Sequence, residues 1–213
     1  MGKVIILPET TRKPITLIGR RAGICYNSNI SDDEKNYKRG LDCINKNHGR
    51  TLEFVNIEMV LDGYSARVIR EWYVHIGGLP TRLQSSTRYI NYQDFDFITP
   101  PSIAKHVAAD RAYKDAIKTV SNTMYALDEL GIPREDVAML LPLGMSTKIV
   151  DKRNLRSLID MAKVRMCQRA YWEYRQLMSD IRCELSKIDN EWKYIVNNFM
   201  CARCDECNEE CFN

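Results

Sequence analysis

The sequence predicts an α+β fold, in which a mixed or antiparallel sheet packs against long helices. Two short apolar runs near the N-terminus, Val4–Leu7 and Ile15–Ile18, are typical of strands separated by a polar turn. Most of the later chain carries apolar residues at helical spacing, bounded by capping residues, glycine and proline. The 213 residues suit one domain, or one protomer of an assembly.

The first half of the chain continues with a helix, a strand and a second helix. Ser31–Glu34 has the pattern of a capping box and predicts a helix that reaches about Asn45. Leu52–Val60 is mostly strand-like. The amphipathic run Tyr64–His75 predicts a helix, which ends before a segment rich in glycine and proline at residues 77–80.

The second half is predicted to be mainly helical. Ser102 can cap a long helix that runs to Glu129, because glycine and proline follow at 131 and 133. The segment after Ala138 leads into an extended run through Val150. The periodicity of the apolar residues then predicts two further helices, at about Asn154–Val164 and Gln168–Asn198.

Composition excludes several classes of function. A net charge of +3 with 28% charged residues is too mild to indicate nucleic-acid or membrane binding. No apolar run approaches the length of a membrane span, and the N-terminus lacks the apolar region of a signal peptide. The eight cysteines do not form the pattern of a secreted disulfide framework, so we expect a cytoplasmic protein.

Four of these cysteines crowd the C-terminus, and we expect residues 1–200 to form one domain followed by a cysteine-rich tail at 201–213. Cys201, Cys204, Cys207 and Cys211 have spacings that suit an iron–sulfur cluster, although no proline follows. Four thiolates can equally hold zinc. A terminal segment with unligated cysteines is the third alternative.

The stretch from Glu71 to Tyr92 has the chemistry of a ligand-binding loop. After the helix and its glycines come two arginines among hydroxyl and amide side chains, and then three aromatic residues. Glycine permits close backbone approach, and arginine can bind phosphate or a carbonyl edge through two donors. The pattern therefore suits a phosphorylated planar ligand, while a solvated polar loop is the alternative.

Several co-linear motifs together resemble the flavin-dependent thymidylate synthases. The family patterns are R-H-R-x-x-S followed by S-x-R-Y, a histidine and glutamate five positions apart, L-P-x-x-x-x-T, N-x-R-S-L, a single arginine, and A-Q-W-E-I-R. The matching residues here are His48 and Glu53, His75, Ser86-x-Arg88-Tyr89, Leu141-Pro142, Thr147, Asn154-x-Arg156-Ser157-Leu158, Arg165, and Ala170-x-Trp172-Glu173-x-Arg175.

The resemblance implies a reductive methylation at a nucleotide. Members of the family bind FAD at the interfaces of a homotetramer and reduce it with NADPH. They take a one-carbon unit from methylenetetrahydrofolate and deliver it to C5 of dUMP, which gives dTMP. This protein is therefore expected to be a homo-oligomer, most simply a tetramer, that binds a dUMP-like nucleotide.

The resemblance also implies roles for individual residues. Arg165 would be catalytic, facing the uracil and stabilising negative charge on it. The nucleotide would be held by Glu71, Gln84, Ser85, Ser86, Thr87, Arg88 and Arg165. The flavin would be lined by His48, His75, Arg82, Gln84, Asn154, Arg156 and Asp160.

Residue chemistry leaves alternatives open for some of these positions. Asn154 could be only a helix N-cap, and Arg156 only a solvated charge. His48 could simply be exposed in a polar turn. Trp172 lies on an apolar stripe, and we expect it to belong to the core rather than to a binding site.

The chain departs from the family pattern in the R-H-R segment. Val74-His75-Ile76 lacks both arginines, and the loop to Ser86 is two residues longer. Gln84 replaces the usual glutamate, and Ala138 replaces an arginine. Arg82, in the longer loop, could restore one positive charge. Two further functions therefore remain open: flavin-dependent C5 methylation or hydroxymethylation of another uridine nucleotide, and a non-catalytic nucleotide- or flavin-binding assembly protein.

Overall fold

A four-stranded antiparallel sheet lies at the centre of the computed structural model, which describes residues 2–200. Its strands are β1 (Lys3–Ile6), β2 (Asn56–Ser65), β3 (Thr81–Gln84) and β4 (Ser146–Asn154). They lie in the order β1-β2-β4-β3, so that the two long strands are neighbours. The prediction of an α+β fold with an antiparallel sheet and long helices is confirmed.

The rest of the described chain is mainly helical. The helices are α1 (Pro14–Cys25), α2 (Asp33–Asn45), α3 (Gly49–Leu52), α4 (Ala66–Tyr73), α5 (Pro101–Ala104), α6 (Val107–Glu129), α7 (Arg134–Val137), α8 (Leu155–Arg165), α9 (Trp172–Ser186) and α10 (Asn190–Asn198). A short 3-10 turn, Ala138–Leu140, follows α7.

The predicted strand over Ile15–Ile18 is wrong, because these residues belong to α1. Pro14 begins that helix, where its missing N–H has no intrahelical partner to lose. Ile15 and Ile18 are fully buried, and Ala22, one turn later, is 5% exposed. Packing at helical spacing thus overrides the strand preference of β-branched residues.

Three predicted helices have different limits in the structure. The long helix expected from Ser102 is interrupted, and His106 starts α6 by accepting a hydrogen bond at Nδ1 from the N–H of Ala109. The helix expected over 168–198 is divided at Asp189, which caps α10. The cap of α2 is Asp32 rather than Ser31. In each case a polar side chain satisfies the first free N–H groups of a helix.

Strand β2 brings the chain to the start of α4. Ile57, Met59 and Leu61 alternate towards the core and are fully buried. A β-bulge follows at Gly63, whose φ of 81° is a conformation that glycine adopts without steric cost. After this bulge Ser65 is buried, and its side chain caps α4 by accepting from the N–H of Val68.

Two clusters of apolar side chains form the core. The larger one packs β2 and β4 against α1, α8, α9 and α10. The smaller one gathers around α6, whose 23 residues bury only Ile117 and Met124. Most of α6 therefore faces away from its own chain. Within residues 2–200, no helix has both the length and the apolarity needed to cross a bilayer.

Candidate active site

Three side chains predicted at the site meet where α4 ends against the end of α8. Arg165, the last residue of α8, donates Nε–H to Nε2 of His75 at 3.0 Å. Its Nη1 donates to Oε2 of Glu71 at 2.9 Å. We call Glu71, His75 and Arg165 the inner cluster. The side chains of Arg165 and Glu71 are 21% and 28% exposed, so the ion pair is partly shielded from water.

The contact with Arg165 defines the state of His75. Nε2 accepts a hydrogen bond, so the ring is neutral and carries its proton on Nδ1. Burial lowers the pKa of His75, and the adjacent Arg165 guanidinium lowers it further. The histidine therefore acts as a fixed acceptor that orients the guanidinium.

A buried stack of aromatic and charged side chains lies behind the inner cluster. The Arg165 guanidinium lies 4.8 Å from the centre of the Tyr174 ring, and Tyr174 stacks on Trp72 with centroids 6.1 Å apart. The guanidinium of Arg153 lies over the Trp72 indole, 4.0 Å from the ring centre. Arg153 is paired with Asp151 at 2.6 Å, and both side chains are fully buried.

Glu173 joins the N-terminus of α9 to the start of α4. Its carboxylate accepts from the N–H of Ser65 at 2.7 Å and from the Ser65 hydroxyl at 2.5 Å. Glu173 is 4% exposed, so these charge-assisted bonds compensate for its lost hydration. The glutamate thus fixes the direction in which α4 carries Glu71 and His75.

A second group of predicted residues gathers at the N-terminus of α8. Asn154 caps this helix, because its Oδ1 accepts from the N–H of Ser157 at 2.9 Å. Arg156 forms an ion pair with Glu53 at 2.7 Å, which ties the segment after His48 to α8. His48 itself is exposed and precedes α3. Asn154 is therefore the N-cap of α8, and this role is compatible with ligand binding.

The segment after α4 runs along α8 and contacts both of its ends. His75 contacts Arg165 at one end, and Gly78 lies against Asn154 at the other. Eleven residues separate these ends, which is about 16 Å of helix. Gly78 has φ of 75°, and an added Cβ would lie 2.2 Å from Nδ2 of Asn154. Glycine is thus required for this approach.

The residues predicted to hold the phosphate form an outer loop, residues 84–88. Gln84 donates to Oγ1 of Thr147 at 3.3 Å, and the N–H of Ser85 donates to the Lys148 carbonyl. Ser86 accepts from the N–H of Arg88 at 3.2 Å, while the exposed Arg88 side chain pairs with Glu135 at 2.8 Å. Thr87 is exposed.

Arg82 and Asp160 were both predicted to line the flavin, and they occupy different environments. Arg82 lies over the ring of Tyr73 at 4.3 Å and donates to the Tyr73 carbonyl at 3.1 Å. It therefore places a positive charge beside Val74, the position of an arginine in the family pattern. Asp160 is exposed on α8 and pairs with Lys163.

The residues that support the inner cluster carry no recognisable signal in the sequence. Trp172, expected in the core, is only half-buried, and Tyr174, two positions later, is fully buried instead. The burial of Arg153 was not predicted, because a charged residue in a strand is usually exposed.

Within residues 2–200 no group of three or more potential metal ligands occurs. The four cysteines considered as ligands, at 201–211, lie outside the described residues.

Comparison with known proteins identifies the family. The family described as thymidylate synthase complementing protein matches residues 7–189. The chain belongs to this family. A flavin-dependent thymidylate synthase from Clostridium tetani is 25% identical over 234 aligned positions, which cover 97% of this chain and 92% of the relative. One from Geobacter sulfurreducens is 28% identical over 183 positions, covering 81% and 78%.

A solved structure has the same fold. Thymidylate synthase X from Helicobacter pylori, crystallised with FAD and dUMP, aligns with a TM-score of 0.70. The alignment covers 94% of this chain and 99% of that chain, at 16% sequence identity. The fold assignment is therefore independent of close sequence similarity, and the family resemblance of the motifs is confirmed.

Proposed function

We propose that this flavin-dependent thymidylate synthase converts dUMP to dTMP at the inner cluster. The observation that carries this assignment is the Arg165 guanidinium, which is held on two edges by His75 and Glu71. Carbon C5 of uracil becomes a better nucleophile when negative charge on the ring is stabilised. A guanidinium stays charged at any working pH, and a partly dry site strengthens its effect.

The inner cluster also suits the edge of a uracil ring. Arg165 offers N–H donors, and the Glu71 carboxylate beside it offers acceptors. The imide edge of uracil presents carbonyl oxygens next to an N–H, which is the complementary pattern. Cytosine presents a bare ring nitrogen there, which the carboxylate would repel. We therefore assign Glu71 to recognition of the base.

The outer loop would hold the rest of the nucleotide. Ser85, Ser86 and Thr87 supply hydroxyl and backbone donors, and Arg88 supplies a guanidinium. To bind a phosphate, Arg88 would exchange its exposed partner Glu135 for the ligand. Arg82, beside Val74, would contribute a further positive charge.

The N-terminal end of α8 fits a flavin nucleotide. Arg156 is half-exposed on the helix, and the free backbone of Gly77 and Gly78 lies next to Asn154. The Arg156 guanidinium, the Asn154 amide and the exposed imidazole of His48, whose next residue packs against Arg156, match the phosphates and polar ring edge of FAD. When bound, FAD would supply the hydride that completes the methyl group. NADPH as reductant and methylenetetrahydrofolate as carbon donor follow from the family resemblance.

A spectroscopic and a genetic experiment test this function. Purified protein with FAD should be yellow and should bleach when NADPH is added. Expression should also allow growth of a thymidine-requiring bacterium, because dTMP is then made in the cell. Colourless protein that takes up no FAD would instead indicate a non-catalytic assembly protein.

One observation favours a second candidate, the C5 methylation or hydroxymethylation of another uridine nucleotide. Val74 and Ile76 replace both arginines that flank His75 in the family pattern, and both side chains are 68% exposed. These changes alter contacts to phosphate or flavin rather than to the base. Product analysis with dUMP, UMP and dUTP in parallel separates the two candidates.

We infer that the protein acts as a homo-oligomer, most simply a cytoplasmic tetramer. Val74, Ile76, Leu79 and Leu83 are between 68% and 90% exposed, beside the site. Apolar side chains so close together usually mark a contact with another molecule. The long exposed face of α6 offers further area. Light scattering that gives a monomer, still active at high dilution, would contradict this assembly.

A further inference from the structure

The position of Arg165 depends on more than its two hydrogen-bonding partners. His75 and Glu71 bind two nitrogens at the edge of the guanidinium, which leaves its flat faces to be fixed by packing. One face lies 4.8 Å from the Tyr174 ring centre. Tyr174 is fully buried and also meets the His75 ring edge-on, with centroids 6.2 Å apart. The same ring thus touches both the arginine and the residue that orients it.

The Tyr174 ring is itself held by a charged, buried support. Trp72 stacks on it at 6.1 Å and donates its indole N–H to Oδ1 of Asp151 at 2.9 Å. The Arg153 guanidinium lies over the Trp72 ring and pairs with Asp151 through both Nε and Nη2. Pairwise contacts therefore connect Arg153 to Trp72, Trp72 to Tyr174 and Tyr174 to Arg165.

The hydroxyl of Tyr174 contributes little to this arrangement. Among the described residues it has no hydrogen-bond partner, although it is buried. Burial raises the pKa of Tyr174, so the hydroxyl stays protonated and is unsuited to proton transfer near neutral pH. What remains is the ring, whose negative face attracts a guanidinium. The family pattern A-Q-W-E-I-R has an isoleucine here, which lacks such a face.

We propose that Tyr174 is a positioning residue for Arg165, whose ring fixes the plane of the guanidinium against the nucleotide. The buried stack of Arg153, Trp72 and Tyr174 sets where that ring lies. The proposal rests on the proposed function only where Arg165 is said to act on a uridine nucleotide. The contact itself belongs to this chain with or without a ligand.

Fluorination of the ring tests the proposal without changing its shape. Tyr174→Phe should keep the dUMP affinity and turnover of the FAD-loaded enzyme, because the hydroxyl bonds to no group within residues 2–200. Incorporation of 3,5-difluoro- and then 3,4,5-trifluorophenylalanine at position 174 weakens the negative face stepwise. We expect kcat with dUMP to fall in the same order, by roughly three- to thirtyfold in total, the range of a partly desolvated cation–π contact.

Two controls separate positioning from simple packing. The same fluorinated residues at Phe97, which packs on Tyr113, should leave kcat unchanged. Thermal unfolding of the fluorinated Tyr174 variants should match that of Tyr174→Phe. Equal kcat across the fluorine series, or a loss in Tyr174→Phe as large as in the trifluoro variant, would overturn the proposal.

A measurement without nucleotide keeps this result distinct from the substrate assignment. Arg165 lowers the pKa of His75 through their contact, so loosening Arg165 should raise the His75 pKa, measured by NMR titration of its ring protons. A rise along the fluorine series supports the positioning role even if dUMP is not the substrate. An unchanged His75 titration would show that the ring does not hold the arginine.

Discussion

The inner cluster and the outer loop are organised in opposite ways. Arg165 in the inner cluster contacts His75, Glu71 and a ring that is itself buried. Arg88 in the outer loop contacts Glu135 on the surface, and both side chains are more than half exposed. The first arginine is fixed by the protein core, whereas the second is paired through solvent-exposed atoms.

This difference indicates where each kind of interaction is useful. Charge stabilisation in a transition state works best when the donor needs no reorganisation, which suits the inner cluster. Binding of a flexible phosphate tolerates donors that change partners, which suits the outer loop. Surface ion pairs are worth only about 0–1 kcal/mol, so exchanging Glu135 for a phosphate costs little.

Loss of the inner arginine should have the largest effect. We expect Arg165→Ala to keep FAD but to lower nucleotide-dependent turnover by about a hundredfold, on the order of one preorganised charged contact. Arg165→Lys should restore little, because an ammonium cannot reproduce two parallel donors. Cys167→Ser is the control and should stay active. Turnover that survives Arg165→Ala but not Cys167→Ser would indicate activation by a thiolate instead.

The contact between Gly78 and Asn154, at the N-terminal end of α8, can be tested by replacing the glycine. Gly78→Ala should destabilise the protein by more than the roughly 1–2 kcal/mol expected for alanine at positive φ, because its Cβ would also meet Asn154. Gly131→Ala is a matched control, with φ of 74° and no atom within 4 Å of the added Cβ. Urea unfolding of both variants measures the difference. Equal losses would show that the Asn154 contact is unimportant.

Replacing the outer arginine should have a smaller effect than replacing Arg165. Arg88→Ala should weaken nucleotide binding by about tenfold, on the order of one charge-assisted hydrogen bond, with kcat little changed. Glu135→Ala removes the competing carboxylate, so affinity should hold or rise. Calorimetric titration with dUMP measures both. Weaker binding in Glu135→Ala would mean that the ion pair orders the loop.

Acidification should loosen the inner cluster through His75. Its pKa in the folded protein is lowered from 6.5, so below that value the unfolded chain binds the proton more readily. The stabilisation from neutral His75 is therefore complete above pH 6.5 and is lost as pH falls towards the folded-state pKa. The free energy of unfolding should decline less in His75→Gln than in the wild type over this range. Parallel declines would contradict the assignment.

Removal of the C-terminal tail should have the smallest effect. Every matched motif lies before residue 201, and the site contacts found within residues 2–200 join those residues to one another, so a chain ending at residue 200 should bind FAD as the full protein does. Flavin absorbance after gel filtration measures this. Loss of FAD on truncation would assign the cysteines a part in the site.

Sequence alone predicted those parts of the fold that depend on local signals. The caps near Asp32 and at Asn154 were recognisable because helix N-termini need side-chain acceptors. Ile15–Ile18 was assigned wrongly because four residues are too few to separate helical from strand periodicity. Asp189 was missed as a helix break, since no glycine or proline marks it.

The candidate site was likewise predicted only in part from the sequence. Glu71 and Arg165 were expected at the nucleotide and His75 at the flavin, and the structure brings the three side chains into contact. The support from Tyr174 and Arg153 was not predictable, because the family motif has isoleucine at position 174 and no motif includes position 153, whose contact with Trp72 joins residues far apart in sequence. Such packing is decided by tertiary structure rather than by local pattern.

The hydrogen bonds from Ser65 to Glu173 have a consequence for local unfolding of the protein. One buried carboxylate joins Ser65 to α9, across 108 positions of sequence. Opening of the N-terminal turn of α9 would leave the N–H and hydroxyl of Ser65, the N-cap of α4, without their acceptor and would loosen the start of the helix that carries Glu71. The start of α4 and the first turn of α9 should therefore open together as one cooperative unit, and this opening would disrupt the inner cluster.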